Sequence, residues 1–374
     1  MKVLGVILEL NPPHNAHKYF IEKAKMQVQP DLTIAIISCN FAQRGEISII
    51  SKYEKTKAAL NLGADLVIEL PVFATLNSAE LFGYYAVKIL NDFKITDLAF
   101  GVELDDLNLL KKTNEILESP SYNEKLKANL NHGYSYKKAA LLAFEKSTNN
   151  AILTENFNKP NNTLGLKYLS AIDKINPNLK VHLIKRIGEN EYSKNISEYP
   201  SGSTIRNLIS KGKDVSKFIP ENYNFINYNQ AYDNLFYLFK SFVLLEESPF
   251  KNIKHIKEGI ENRIYKILKE TFNYKGFISK MKTKRYSENY LQRLLLSVLL
   301  ELENQDDYYL RVLGFNKKGE KHLSNIDKPI ITSPKNTNNK LINIELKASK
   351  LYALITNNDN YYQDEFLIPY KENK

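Results

Sequence analysis

The sequence predicts an α/β fold: a parallel sheet with helices on both faces, followed by a mostly α-helical carboxyl-terminal domain. Three observations predict it. From Met1 to about Ile209, short apolar runs alternate with stretches of helical spacing, the rhythm of strands buried on both faces and joined by helices. After about Gly212 the alternation gives way to long Lys- and Tyr-rich helical stretches. The chain's 374 residues, 43% of them apolar, divide more readily into two domains than one. The boundary is set between residues 212 and 213.

The first strand is the run Val3–Leu8, which breaks at Asn11-Pro12-Pro13 and opens onto His14-Asn15-Ala16-His17 and a helical stretch from Lys18. Two imidazoles three residues apart at an electropositive helix N-terminus suit a polyphosphate. Taken alone, an isolated H-x-x-H more often marks ordinary loop and first-turn polar residues, and it is the surrounding sequence that favours a phosphate. Further strands are expected at Leu32–Ser38, 66–69, 98–100 and 181–185, with helices over 51–62 and 78–91. Ligands of open parallel sheets bind beyond the carboxyl ends of the strands. His14, Ser38 to Asn40 and Gly101 all fall there.

In the second half, helices are expected over 232–246, 254–272, Tyr274–Met281 and 288–302, and 332–339 reads as a polar loop. The leucine-rich run 291–300 is far shorter than the roughly 20 apolar residues of a membrane span. The amino terminus lacks the order of a signal peptide. The single cysteine, Cys39, forms no disulfide framework and no cysteine metal site, as in a reducing compartment. These features predict a soluble cytoplasmic protein. The balance of 52 Lys+Arg against 42 Asp+Glu leaves a net charge of +10, which favours encounter with polyanions such as nucleic acid, though a Lys- and Asn-rich solvated surface has the same composition.

Four clusters add to the first motif. Gln43-Arg44-Gly45-Glu46 offers a guanidinium on a loop after the second strand, and Gly101 lets a base or ribose approach the backbone at a strand end. Lys159-Pro160-Asn161-Asn162-Thr163 sets amides ahead of a helix, where they cap it or face a nucleotide. Lys185-Arg186-Ile187, followed by Ser201-Gly202-Ser203-Thr204-Ile205-Arg206, joins hydroxyls, backbone N–H groups and guanidinium in an anion cradle.

A strand, an H-x-x-H element and the distal Ser203-Thr204-Ile205-Arg206 resemble the nucleotidyltransferase α/β-phosphodiesterase superfamily. More narrowly, Glu9 to His17, Gln43-Arg44-Gly45-Glu46, Gly63 to Pro71, Lys159 to Asn162 and Thr283-Lys284-Arg285-Tyr286 resemble the bacterial tRNA(Met) cytidine acetate ligase family, and Arg311 to Phe315 and Pro329 to Thr332 extend the likeness along nearly the whole chain.

The resemblance implies a Rossmann-like nucleotidyltransferase sheet in residues 1–212 as the ATP-binding catalytic domain, with tRNA held by 213–374. It implies a ligase that forms acetyl-adenylate from ATP and acetate, then N4-acetylcytidine at the wobble position of elongator tRNA(Met). His14 and His17 would be the catalytic pair on the ATP phosphates. ATP would be lined by Ile7, Leu8, Glu9, Leu10, Asn11, Pro12, Pro13, His14, Asn15, Ala16, His17, Lys18, Tyr19 and Phe20, with Gly101, Asn162, Arg186 and Ile187 completing the site. Ser203, Thr204 and Arg206 are inferred phosphate contacts. Lys282, Lys284, Arg285 and Tyr286 are inferred tRNA contacts, cations and an aromatic suited to an unpaired loop. Mg²⁺ is expected with the triphosphate, with no ligand set evident.

One departure stands out: the superfamily usually has glycine where this chain has Ala16. A nucleotidyltransferase acting on a small phosphorylated metabolite, and a tRNA-binding protein with a regulatory pocket, are the alternatives the same residues leave open.

Overall fold

Five apolar runs form the parallel heart of one sheet: β1 (Val3–Leu8), β2 (Leu32–Ser38), β3 (Leu66–Leu70), β4 (Asp97–Val102) and β5 (Lys180–Lys185). The computed structural model describes residues 1–148, 150–158, 160–188, 198–256, 259–336 and 339–372. The parallel order is β5-β4-β1-β2-β3. Chain growth therefore reverses direction at β1, which pairs with β2 on one side and β4 on the other. The crevice at such a reversal is where open α/β sheets bind ligands.

The carboxyl-terminal part supplies three further strands, β6 (Leu310–Phe315), β7 (Ile330–Ile331) and β8 (Tyr370–Lys371). Strand β6 pairs antiparallel with β3 and extends the sheet. These three strands are additional to those expected from the apolar runs. The order of that edge depends on residues about 240 apart in the chain, such as Ile68 and Val312, which no local period reports.

The helices up to β5 are α1 (Asn15–Val28), α2 (Lys52–Asn61), α3 (Val72–Thr75), α4 (Ala79–Asp92), α5 (Leu107–Glu118), α6 (Pro120–Asn131), α7 (Tyr136–Thr148), α8 (Ala151–Asn158) and α9 (Pro160–Ile175). Ser51 and Ser78 cap α2 and α4 through their hydroxyls, which explains why the expected helices 51–62 and 78–91 hold to within a residue or two. The connection from β4 to β5 is longer than a crossover needs. Helix α9 packs on α4 and β4 and makes the crossover, while α5 to α8 gather around a small core of their own, Tyr122, Ala143, Phe144 and Leu153.

Beyond β5 come α10 (Gly202–Ser210), α11 (Tyr228–Leu245), α12 (Ile260–Lys269), α13 (Tyr274–Met281), α14 (Glu288–Leu299), α15 (Lys317–Leu323), α16 (Lys340–Thr356) and α17 (Asn360–Gln363). The helix expected over 254–272 is shorter: Gly259, at φ 81, precedes its first residue. Lys254 instead donates to the Phe73 carbonyl at 2.6 Å, and burial pushes its amine down to about 7.

A buried ionic network fastens the carboxyl-terminal elements to the sheet. Lys52 reaches Glu69 (2.7 Å), Glu345 (3.0 Å) and Glu365 (2.6 Å), and Arg311 reaches Glu69 (3.4 Å) and Glu365 (2.7 Å). Tyr309 donates to Glu69 at 2.8 Å. Three carboxylates face two cations, and burial with the neighbouring Glu69 charge pushes Glu345 upward. The block from Gly63 to Pro71 thereby acquires a structural reason: Glu69 binds Lys52 of α2 and Arg311 of β6, the two cations that also hold Glu365.

Candidate functional site

Beyond β1 the backbone turns at Leu10, φ 48, into a cis Asn11–Pro12 bond. Asn11 holds the turn, its Nδ2 donating to the Ile47 carbonyl (3.3 Å) and its Oδ1 accepting from the Ile49 N–H (2.9 Å). Helix α1 then starts with His14 as its extended N-cap. The His14 N–H donates to Nδ1 of His17 at 3.2 Å, and the rings lie 3.9 Å apart, tilted by 37°. A nitrogen that accepts carries no proton, so the His17 proton sits on Nε2.

Both rings are neutral at pH 7. Burial, then the Arg186 and Arg206 charges, push His14 down to about 3; burial, His14 and Arg186 hold His17 well below the ordinary imidazole value. The pair therefore offers N–H donors and ring faces to a phosphate. Positive charge comes from the arginines nearby.

A cavity of about 390 Å³ opens at this point, in the size range of small-ligand sites. Of the expected residues, Ile7, Leu8, Glu9, Leu10, Asn11, His14, Ala16, His17, Tyr19, Phe20, Gly101, Arg186, Ile187, Ser203 and Arg206 line it. Pro12, Pro13, Asn15, Lys18, Asn162 and Thr204 do not. Lys18 is exposed, and Asn15 turns outward to the Lys217 carbonyl (2.9 Å). Asn162 is fully buried and its Oδ1 accepts from the Glu103 N–H (3.0 Å), so it shapes the chain just beyond β4. The Thr204 hydroxyl pairs with Ser201 at 3.0 Å inside the first turn of α10. Lys159 lies outside the described residues.

Arg206 also differs from expectation. Its guanidinium is bound to Glu46 (2.6 Å) and the Asn11 carbonyl (2.6 Å), so it ties α10 to two loops of the sheet as well as facing the cavity. Gly202 permits this approach, since a Cβ there would come 3.0 Å from the Asn11 carbonyl oxygen.

The loop from Gln43 to Glu46 forms another wall. Glu9 accepts from the Gln43 N–H at 2.6 Å, and burial raises the Glu9 carboxyl. Gln43 donates to the Asn77 carbonyl (2.9 Å). Gly45 is at φ 82, and a Cβ there would sit 2.6 Å from the Arg293 nitrogen of α14, so the loop packs directly on the carboxyl-terminal helices. Ala79, Phe82, Tyr168 and Ile184, which no motif singled out, also line the cavity, beside Thr163, Lys185, Ser201 and Gly202 of the expected clusters and the adjoining Leu164.

The basic element before α14 splits. Lys284 and Arg285 are exposed. Lys282 pairs with Glu288 at 3.0 Å. Tyr286 is 7% exposed and stacks on Tyr290 at 5.6 Å and 16°, with Arg285 over its ring at 5.6 Å. Its ring is part of the helical core, which corrects the expectation that it stacks on a base.

Among the described residues, Cys39, Glu69 and Glu345 are close enough to hold a metal, but the two carboxylates already bind Lys52 and all three lie outside the cavity lining. They do not fit the Mg²⁺ of a triphosphate. No helix among the described residues is long and apolar enough to cross a membrane.

Comparison with known proteins gives a consistent outcome. The family model of the HIGH Nucleotidyl Transferase matches residues 1–365. The tRNA(Met) cytidine acetate ligase of Thermoanaerobacter sp. (strain X514) is 36% identical, with 99% of each chain covered. That of Clostridium botulinum (strain Hall) is 34% identical over 99% of this chain and 98% of its own. The crystal structure of apo Thermotoga maritima TmcAL matches with TM-score 0.90 at 29% identity, and its complex with alpha-thio ATP with TM-score 0.87, both over the full length of each chain.

Proposed function

The chain belongs to the tRNA(Met) cytidine acetate ligase family of HIGH nucleotidyl transferases, and from that premise we propose that it acetylates the wobble cytidine of elongator tRNA(Met) in two ATP-driven steps. In the first, an acetate oxygen attacks the α-phosphorus of ATP and pyrophosphate leaves. In the second, the cytidine N4 amine attacks the acetyl carbonyl, AMP leaves, and the amine loses a proton.

The first step concentrates negative charge on the phosphoryl oxygens and the departing pyrophosphate, so its main demand is fixed N–H donors and positive charge. The observation that carries the reading is the cavity at the β1/β4 reversal, where His14, His17, Arg186 and the start of α10 converge. His17 Nε2–H and the first N–H groups of α10 supply donors. Arg186 supplies charge. Mg²⁺ is assigned to the incoming ATP, held by phosphate and water rather than by a protein cage.

RNA holding is assigned to 213–374, with Lys282, Lys284 and Arg285 against the phosphate backbone, and the cytoplasm is the compartment in which that partner is met. Purified protein incubated with ATP, radiolabelled acetate and transcribed tRNA(Met) should yield labelled N4-acetylcytidine on nucleoside analysis. ATP bound without turnover, or label transferred to a phosphorylated metabolite, overturns the proposal. Alanine at Lys282, Lys284 and Arg285 should weaken tRNA binding while acetate-dependent ATP–pyrophosphate exchange persists.

A further inference from the structure

We infer that the tip of the α6–α7 hairpin, carried by an insertion rooted in the cavity wall, is a second RNA-contacting surface for the unpaired nucleotides and phosphates of an anticodon loop. The inference rests on the ligase reading for the identity of the RNA. Its grounds are structural.

The hairpin is surplus to the sheet. Helix α9 alone makes the crossover from β4 to β5, so α5 to α8 are an insertion that leaves the carboxyl end of β4, the same end at which Gly101 lines the cavity. The insertion is firmly built. Asn129 is buried and donates to the Ala139 carbonyl at 3.1 Å, Lys125 joins α6 to α7 through the Lys146 carbonyl at 2.8 Å, and Gly133 makes the turn at φ 79.

Yet this scaffold presents an open tip: residues 131–138 are all exposed. Two of them are large aromatics, Tyr134 at 40% and Tyr136 at 65% exposure. Exposed aromatics interleaved with cations are the pattern of single-strand RNA binding, where rings stack on bases and cations meet phosphates. From Lys125 to Lys138 the sequence holds four lysines and no acidic residue. Lys138 lies 4.6 Å over the Tyr134 ring.

The insertion that carries the tip is rooted at the cavity: Gly101 just before it and Thr163 and Leu164 just after it all line the cavity wall. An RNA strand that delivers a base to the cavity therefore meets this insertion. A second copy of the chain is the poorer occupant, since it brings the same net charge of +10 to a lysine-rich patch.

The test compares full-length protein with the variants Y134A/Y136A and K137A/K138A. For each, tRNA(Met) affinity is measured by filter binding across a salt series, alongside acetate-dependent ATP–pyrophosphate exchange. Each pair should weaken tRNA binding at least about fivefold, and the lysine pair should also flatten the salt dependence by about 1.4 in log–log slope. Exchange should stay within about twofold of the parent, and Y134F/Y136F, which keeps the ring faces, should bind nearly as the parent does. Unchanged tRNA affinity in both pairs overturns the inference, as does a changed oligomeric state without a change in RNA affinity. A parent protein with no acetate-dependent exchange sinks the ligase reading instead, and leaves the tip to be judged on tRNA binding alone.

Discussion

The His14 backbone N–H donates to Nδ1 of His17 at 3.2 Å, a contact that sets the tautomer of the second imidazole before any ligand arrives. Its Nε2–H is left as a donor for the cavity. With both rings neutral, the pair carries no charge of its own, and its protonation is a liability for the fold.

That liability has a pH signature. The His14 pKa is depressed from 6.5 to about 3 in the folded protein, so between those values the unfolded chain binds a proton that the folded one does not. Stability from this residue is complete above pH 6.5 and falls as pH drops toward 3, by about 1.4 kcal/mol per unit. Urea unfolding of the parent and of His14→Asn, which keeps an N-cap, should show the parent losing stability relative to the variant below pH 6.5. A constant difference across pH 4 to 8 contradicts the neutral assignment.

Arg206 holds Glu46 and the Asn11 carbonyl together, so its loss should be felt first in the fold. Arg206→Ala leaves a largely buried acceptor set unpaired and should cost about 3 kcal/mol, read as a lower midpoint of denaturant unfolding. A variant with parental stability and only weaker ATP binding would return Arg206 to a phosphate-contacting role.

Ala16 lines the cavity in the first turn of α1, and the remaining site residues converge around it. Ala16→Gly should change ATP affinity by less than tenfold in calorimetric titration and should lower stability by up to about 1 kcal/mol through helix propensity. A gain of orders of magnitude in affinity would show that the methyl group crowds the nucleotide.

The buried network predicts a large stability effect far from the cavity. Arg311→Met removes one of two cations facing Glu69, Glu345 and Glu365, leaving excess buried negative charge. It should destabilise the protein by about 3–5 kcal/mol, measured by denaturant unfolding. A near-parental midpoint would mean that a carboxylate takes up a proton at little cost.

Much of the site was legible in the chain itself because its determinants are local. Apolar runs announce β1 to β5 within a residue or two, hydroxyl caps announce α2, α4 and α10, and the spacing from His14 to His17 puts both rings on one turn. The parallel character of the sheet directs the ligand to the carboxyl ends of the strands, but the order β5-β4-β1-β2-β3, in which β3 and β4 follow one another in the chain yet stand apart in the sheet, is set by the tertiary structure.

The sequence by itself determined the parallel sheet, the H-x-x-H turn and the position of the cavity, since hydrophobic period and capping act over a few residues. Only the tertiary structure decided which side chains are free to act. Glu46 captures Arg206 across 160 positions, Tyr290 covers Tyr286, Glu69 recruits Arg311 from a strand far along the chain, and the tip at Tyr134 and Tyr136 stays uncovered. Partners so distant in sequence are chosen by packing, and burial then sets the charge state of what they hold.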